Sequence, residues 1–195
     1  MKYATLVIDP PWRYGPGTLP PSTHGGRTAE DNYPTMTNRD ILALPVGDLA
    51  ADDAHLYLWV TNPRLYGERD DDSINPNDLM KAWGFVYKTC LTWVKRQVGL
   101  GFYFRGKTEH VLFGVRGRLP VPPSNRRPNV FETECDGDGL AFVAPRGPGG
   151  HSSKPDVFYD LVEATSPGPY LELFARRQRL GWATWGNEAF QDVAL

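Results

Sequence analysis

Only two cysteines occur in 195 residues, Cys90 and Cys135, far apart and without a Cys-x-x-Cys pair. That excludes a thiolate zinc site and a disulfide scaffold, and no other residue pattern predicts a bound metal. An excess of one charge is also missing. The formal net charge is −2, so the whole-molecule field gives no general reason to bind nucleic acid or an anionic membrane, and any nucleic-acid surface must be local. No stretch approaches the ~18 apolar residues of a spanning helix. The opening Tyr3-Ala4-Thr5-Leu6-Val7-Ile8 meets Asp9 too soon for the apolar region of a signal peptide. These absences predict a soluble, cytoplasmic protein with no membrane partner. No Gly-x-Gly-x-x-Gly follows any candidate strand and no P-loop pattern occurs, which disfavours a dinucleotide oxidoreductase and a P-loop kinase.

What is present suffices for one core. Hydrophobic residues make up 41% and aromatics 12%, while 18 prolines and 20 glycines stay below the share that marks low-complexity chains. A single domain spanning residues 1–195 is expected. Ala4–Ile8 reads as a buried strand, His55–Val60, Tyr87–Val94 and His110–Arg116 as further strands, and Tyr170–Ala175 and Trp182–Trp185 as the last two. Thr37-Asn38-Arg39-Asp40 has the pattern of a capping box before a helix that stops at Pro45. Asn77 is a candidate cap for a helix running to Trp83, with Gly84 as its terminator. Pro155 stands at a first helical position, and Phe158, Leu161, Val162 and Thr165 follow at helical spacing. Two stretches are turn-rich: Arg13 to Tyr33, a candidate lid, and Leu119 to about Gly150, where only Ala141–Ala144 looks strand-like. Strands alternating with helices predict an α/β fold with a mostly parallel sheet and functional loops at one edge.

Asp9-Pro10-Pro11-Trp12 directly follows the first strand, and open α/β sheets place ligands at the carboxyl ends of their strands. The tetrad suits an exocyclic amine on a planar base. The amine's lone pair is delocalised into the ring, and methylation builds positive charge on nitrogen, which calls for acceptors. The Asp9 carboxylate and the Pro10 carbonyl can each accept an N–H. Two successive prolines fix the backbone that presents that carbonyl, and Pro11 and Trp12 offer flat apolar surface for a flipped base. The plainer alternative is a tight strand exit with a surface tryptophan.

The blocks Asp9-Pro10-Pro11-Trp12, Tyr33-Pro34-Thr35-Met36, Leu58-Trp59-Val60-Thr61, Trp83-Gly84-Phe85, Trp93-Val94-Lys95, Glu109-His110, Ser153-Lys154-Pro155-Asp156, Glu172-Leu173-Phe174-Ala175-Arg176 and Trp185-Gly186-Asn187-Glu188 occur in that order over nearly the whole chain. In this the sequence resembles the seventy-kilodalton-subunit family of N6-adenosine methyltransferases, in its bacterial or phage form. The resemblance implies a Rossmann-like fold with a seven-stranded sheet in permuted order, catalytic tetrad first and cofactor strands last, and S-adenosylmethionine (SAM) as methyl donor. It implies cofactor contacts from Asp9, Lys154, Phe174, Arg176, Gln178, Asn187 and Glu188. Lys154 beside a helix N-terminus suits the SAM carboxylate, although an exposed cap-region lysine is the plainer reading. Phe174 suits the adenine face or, equally, plain core. Two departures stand out: Gln178-Arg179 replaces the His-Asn of the messenger-RNA enzyme, and only Met1 and Lys2 precede the first strand.

The acceptor side rests on local charge. Nine basic residues fall between Lys88 and Arg127 against the single acid Glu109, interleaved with Trp93, Phe102, Tyr103 and Phe104. Phosphate contacts plus base stacking would use such a surface, and so would a solvated face over core aromatics. Candidate acceptor-binding residues are Arg13, Tyr14, Trp93, Lys95, Arg105, Lys107 and Glu109. Asp70-Asp71-Asp72 reads as a solvated turn. The expected activity is SAM-dependent methylation of adenine N6 in nucleic acid, DNA favoured over RNA because no extra RNA-binding module accompanies the core. A non-catalytic nucleic-acid-binding subunit and an N4-cytosine methyltransferase are the alternatives. A homo- or heterodimer would enlarge a small basic surface.

Overall fold

Alternate residues of the two innermost strands face opposite sides of one sheet, and that alternation builds two cores. In the computed structural model, which describes residues 1–14, 34–66, 74–96, 98, 103–132, 154–187, 189 and 191–193, β1 (Tyr3–Ile8) and β2 (Ala50–Thr61) lie side by side and parallel. Leu6, Ile8, Leu56, Leu58 and Val60 point to one face, Val7, Tyr57 and Trp59 to the other. All eight are at most 1% exposed, and burying each such side chain contributes about 1.5–3 kcal/mol or more.

The first face is covered by three short helices, α1 (Asn38–Leu42), α2 (Val46–Leu49) and α3 (Pro76–Ala82). The capping box expected at Thr37 is present: its hydroxyl accepts from the Asp40 N–H at 3.1 Å while the Asp40 carboxylate accepts from the Thr37 N–H at 3.3 Å. At α3 the cap is Asn75 and not Asn77. Asn75 accepts from the N–H groups of Asn77 and Asp78, Asp78 reaches back, and Pro76 takes the first helical position, where its missing N–H costs nothing. Gly84 closes α3 with φ of 85°, and the Phe85 N–H bonds the Met80 carbonyl at 2.8 Å in a Schellman arrangement. α2 is a single turn, too short to show a helical period in the sequence.

The second face is covered by α4 (Asp156–Thr165), whose Phe158, Tyr159 and Val162 pack on Tyr57 and Trp59. Pro155 is its cap, one position earlier than expected. The remaining strands are β3 (Val86–Val94), β4 (Thr108–Arg116), β5 (Val130–Glu132), β6 (Tyr170–Leu173) and β7 (Trp182–Trp185). They complete a seven-stranded sheet in the order β5-β3-β4-β2-β1-β6-β7. It is mostly parallel, as expected; only β4 runs antiparallel to both its neighbours. β5 lies inside the stretch expected to be irregular. The expected strand 141–144, the lid residues 15–33 and Asp70–Asp72 lie outside the described residues. Among the described residues no helix is long and apolar enough to cross a membrane.

This topology places the site. β1 has β2 on one side and β6 on the other, so chain connections leave it in opposite directions and open a crevice at its carboxyl end. Because β4 runs backwards, its first residues lie at that same end, with Glu109 level with Thr61 of β2.

Candidate active site

The ladder of β1 reaches no further than the Asp9 N–H, 3.5 Å from the Leu173 carbonyl, because Pro10 and Pro11 have no N–H to continue it. The Pro10 carbonyl accepts the Trp12 N–H at 2.8 Å, and the Pro11 carbonyl accepts the Met36 N–H at 2.9 Å. These bonds fix the direction of the Pro10 oxygen and leave its second lone pair unused by Trp12. Trp12 departs from expectation: it is only 4% exposed, its indole N–H donates to the Trp59 carbonyl at 3.0 Å, and the Arg64 guanidinium lies 6.0 Å from its ring. It props the tetrad from beneath and is no open stacking surface.

Asp9, Pro10, Pro11 and Trp12 line one cleft together with Tyr14, Thr61 and Glu109 on one flank, and Lys154, Phe174, Arg176 and Asn187 on the other. The cleft is open to solvent, and about 730 Å³ of empty space lies between its walls when the open mouth is counted in. Tyr14 is held by a 2.7 Å hydrogen bond between its hydroxyl and that of Thr61.

The centre of the cleft is a chain of alternating charges. Lys154 Nζ lies 3.1 Å from Asp9 Oδ2 and 2.9 Å from Glu109 Oε2, and Lys95 pairs with Glu109 Oε1. The Lys154 ammonium also sits 4.6 Å from the centroid of the Trp59 ring, a favourable cation–π seat. Lys154 is thus no exposed cap-region lysine: its side chain is 7% exposed. Burial alone would lower its pKa, but Asp9 and Glu109 overcome that and raise it. Burial would raise Glu109, yet Lys154 and Lys95 pull it down to about 2. Asp9 is raised, first by burial and then by the Glu109 charge, with Lys154 and Arg176 opposing. The Asp9 side chain lines the cleft with about a fifth of its surface exposed.

The opposite flank is set by the exits of β6 and β7. Phe174 adopts φ of 64°, a left-handed conformation rare for a bulky residue. It is held there because the Ala175 N–H bonds the Trp185 carbonyl at 2.9 Å and Gly186 packs on the Ala175 backbone, where a Cβ would lie 2.2 Å from the Ala175 oxygen. The Phe174 ring stands edge-on to Trp185 at 5.3 Å. Behind it Glu172 is buried, accepting from the Tyr159 hydroxyl at 2.7 Å, and burial raises its pKa to about 7. The donor set fits SAM: an ammonium and a helix N-terminus for a carboxylate, a carboxylate for an amine, an aromatic ring for the adenine face, and the Asn187 amide for a hydroxyl.

Other expected site residues stand apart. Arg13, Arg105, Lys107 and Gln178 are exposed and do not line the cleft. Trp93 and Lys95 lie behind Glu109, and Lys95 is tied to it. Glu188 and Phe102 fall outside the described residues. Trp59, Thr61 and Arg64 went unassigned; the long apolar run leading into Thr61-Asn62-Pro63-Arg64 was the available signal.

A permuted, mostly parallel seven-stranded sheet with this cleft defines a Rossmann-like, SAM-dependent methyltransferase. Residues 3–188 match the MT-A70 family model, and the chain belongs to that family, whose activity is SAM-dependent N6-adenine methylation of nucleic acid. It is 31% identical to the type II methyltransferase M.MunI of Mycoplasma sp, over 96% of this chain and 78% of that protein. It is 30% identical to the N(6)-adenosine-methyltransferase MT-A70-like protein of Drosophila melanogaster, over 96% of this chain and 27% of that one. It is 28% identical to the human N(6)-adenine-specific methyltransferase METTL4, over 98% and 39%. The chain therefore spans well under half of these two animal relatives.

Proposed function

We propose that this chain is a cytoplasmic enzyme of the bacterial or phage type that methylates the N6 amino group of adenine in DNA. One observation carries the reading: the largely buried Asp9 carboxylate already accepts from an ammonium at 3.1 Å, beside a Pro10 oxygen with a spare lone pair. Two acceptors at a rigid strand exit are what an aromatic amine needs as it gains positive charge. SAM, when bound, supplies an electrophilic methyl group. Lys154 would hold its carboxylate end, Phe174 its adenine and Asn187 its ribose, while Arg176 adds positive charge beside Asp9. Asp9 and Pro10 accept the two N–H bonds of the acceptor and turn its lone pair toward the cofactor side. Tyr14 and Pro11 border the base, and Glu109 holds Lys154 from the acceptor side. The exposed Arg105 and Lys107, beside Tyr103 and Phe104, each 90% exposed, suit the phosphates and bases that flank the target.

DNA as acceptor is supported by the likeness to a type II methyltransferase over most of that protein's length. The test is incubation with labelled SAM and matched adenine-containing DNA and RNA oligonucleotides, followed by nucleoside analysis. N6-methyldeoxyadenosine is the expected product. Methylation of RNA alone overturns the acceptor, and N4-methylcytosine overturns the base.

A further inference from the structure

Lys95 is one of nine basic residues in its segment and, on sequence alone, a phosphate contact. The structure gives it a different setting. Its Nζ pairs with Glu109 Oε1 and lies 5.4 Å from the centroid of the Trp93 ring, while Lys154 pairs with Glu109 Oε2 at 2.9 Å and lies 4.6 Å from Trp59. The two indoles meet edge-to-face at 5.9 Å. Glu109 is therefore gripped between two ammoniums, each seated on a tryptophan. The sheet register fixes this arrangement, since Trp93 and Thr61 are the two strand neighbours of Glu109, and the Lys95 N–H bonds the Lys107 carbonyl at 2.8 Å.

We propose that Lys95 is a positioning residue for methyl transfer: by occupying one oxygen of Glu109 and neutralising it, Lys95 keeps Lys154 shared with Asp9 and lets both carboxylates of the cleft stay ionised. This rests on the function proposed above. The charge count shows why. Asp9 and Glu109 flank a single Lys154, so without Lys95 the cluster carries an excess negative charge in a largely buried place, and like charges resist joint ionisation. Lys95 makes the chain of four neutral. The other groups that face Asp9 electrostatically are Arg176, after β6, which favours its ionised form, and Glu172 of β6 and Tyr159 of α4, both coupled to it. His110 is the further titratable group coupled to Glu109. None of these replaces a cation at Glu109 Oε1.

The test compares wild type, Lys95→Met and Lys95→Arg. Positioning predicts that Lys95→Met lowers kcat about tenfold near pH 6 and less at pH 8, moving the acid limb of the profile up by about one unit, with the oligonucleotide KM unchanged. Lys95→Arg keeps the charge and the ring contact and restores most of the rate. A phosphate contact would instead raise KM and reduce the salt slope by about one, with kcat and its pH profile intact, and that result overturns the proposal. Loss of thermal stability with both kinetic constants and the profile unmoved overturns it as well. Carbon-13 titration of the Asp9 carboxyl needs no acceptor: a midpoint that rises in Lys95→Met supports the inference, and one that stays refutes it. Absence of methylation by wild type would sink the function and leave that titration standing.

Discussion

Two carboxylates in this protein each sit between two cations, and their surroundings differ. Asp156, in the first turn of α4, pairs with Arg177 and Arg179, and its side chain is 62% exposed. Glu109 pairs with Lys95 and Lys154 at 11% exposure. Water screens the first cluster, so its pairs work as surface clips that hold the β6 exit against α4. Little water reaches the second, where each charge sets the state of the next, from Lys95 through Glu109 and Lys154 to Asp9. The same motif is a fastening when exposed and a chemical device when buried.

Asp9→Ala gives the largest effect. It removes the acceptor that grips the amine, and kcat should fall by about a thousandfold or more, with a folded protein that still binds nucleic acid. Incorporation of labelled methyl measures it. Lys154→Met leaves Asp9 and Glu109 without their shared cation and removes the carboxylate anchor; calorimetric titration should show SAM binding weakened about a hundredfold.

Glu172 sharpens the comparison, being a buried carboxylate whose direct partner is a neutral hydroxyl. Its pKa in the folded protein is about 7 against an ordinary 4.5, so the native state binds more protons between those values and stability falls as pH rises through that window. Glu172→Gln should thus be more stable than wild type at pH 8, on the order of 2 kcal/mol, and should show no gain below pH 4.5. Denaturant titration at the two pH values checks this. Asp156→Asn should cost less than about 1 kcal/mol, shrinking further in high salt. A larger, salt-independent loss would break the distinction between the two clusters.

Parts of this arrangement were legible in the sequence and parts were not, for physical reasons. β1 and α4 announce themselves through continuous apolar residues and helical spacing, and the tetrad was visible because its acceptors are neighbours in the chain. The α3 cap was misplaced by two residues because either Asn75 or Asn77 can cap; Pro76 and the Asn75–Asp78 spacing carried the information that decides between them. β5 has three residues after a proline-rich stretch, too few for any period to show. The charge network was hidden because Lys95, Glu109 and Lys154 meet only through sheet register and the approach to α4. That register also turned Lys95 from an expected phosphate contact into a partner of Glu109, and burial turned Trp12 from a stacking plate into a prop.

The reversed direction of β4 has an evolutionary reading. Its first residues, Thr108 and Glu109, stand at the rim where the acceptor is gripped, while Phe174, Arg176 and Asn187 on the donor side come from the β6 and β7 exits across the sheet. The two partners of the reaction are thus met by strands of opposite direction, so a change at the start of β4 alters the acceptor's wall of the cleft while the exits that face the sulfonium keep their geometry.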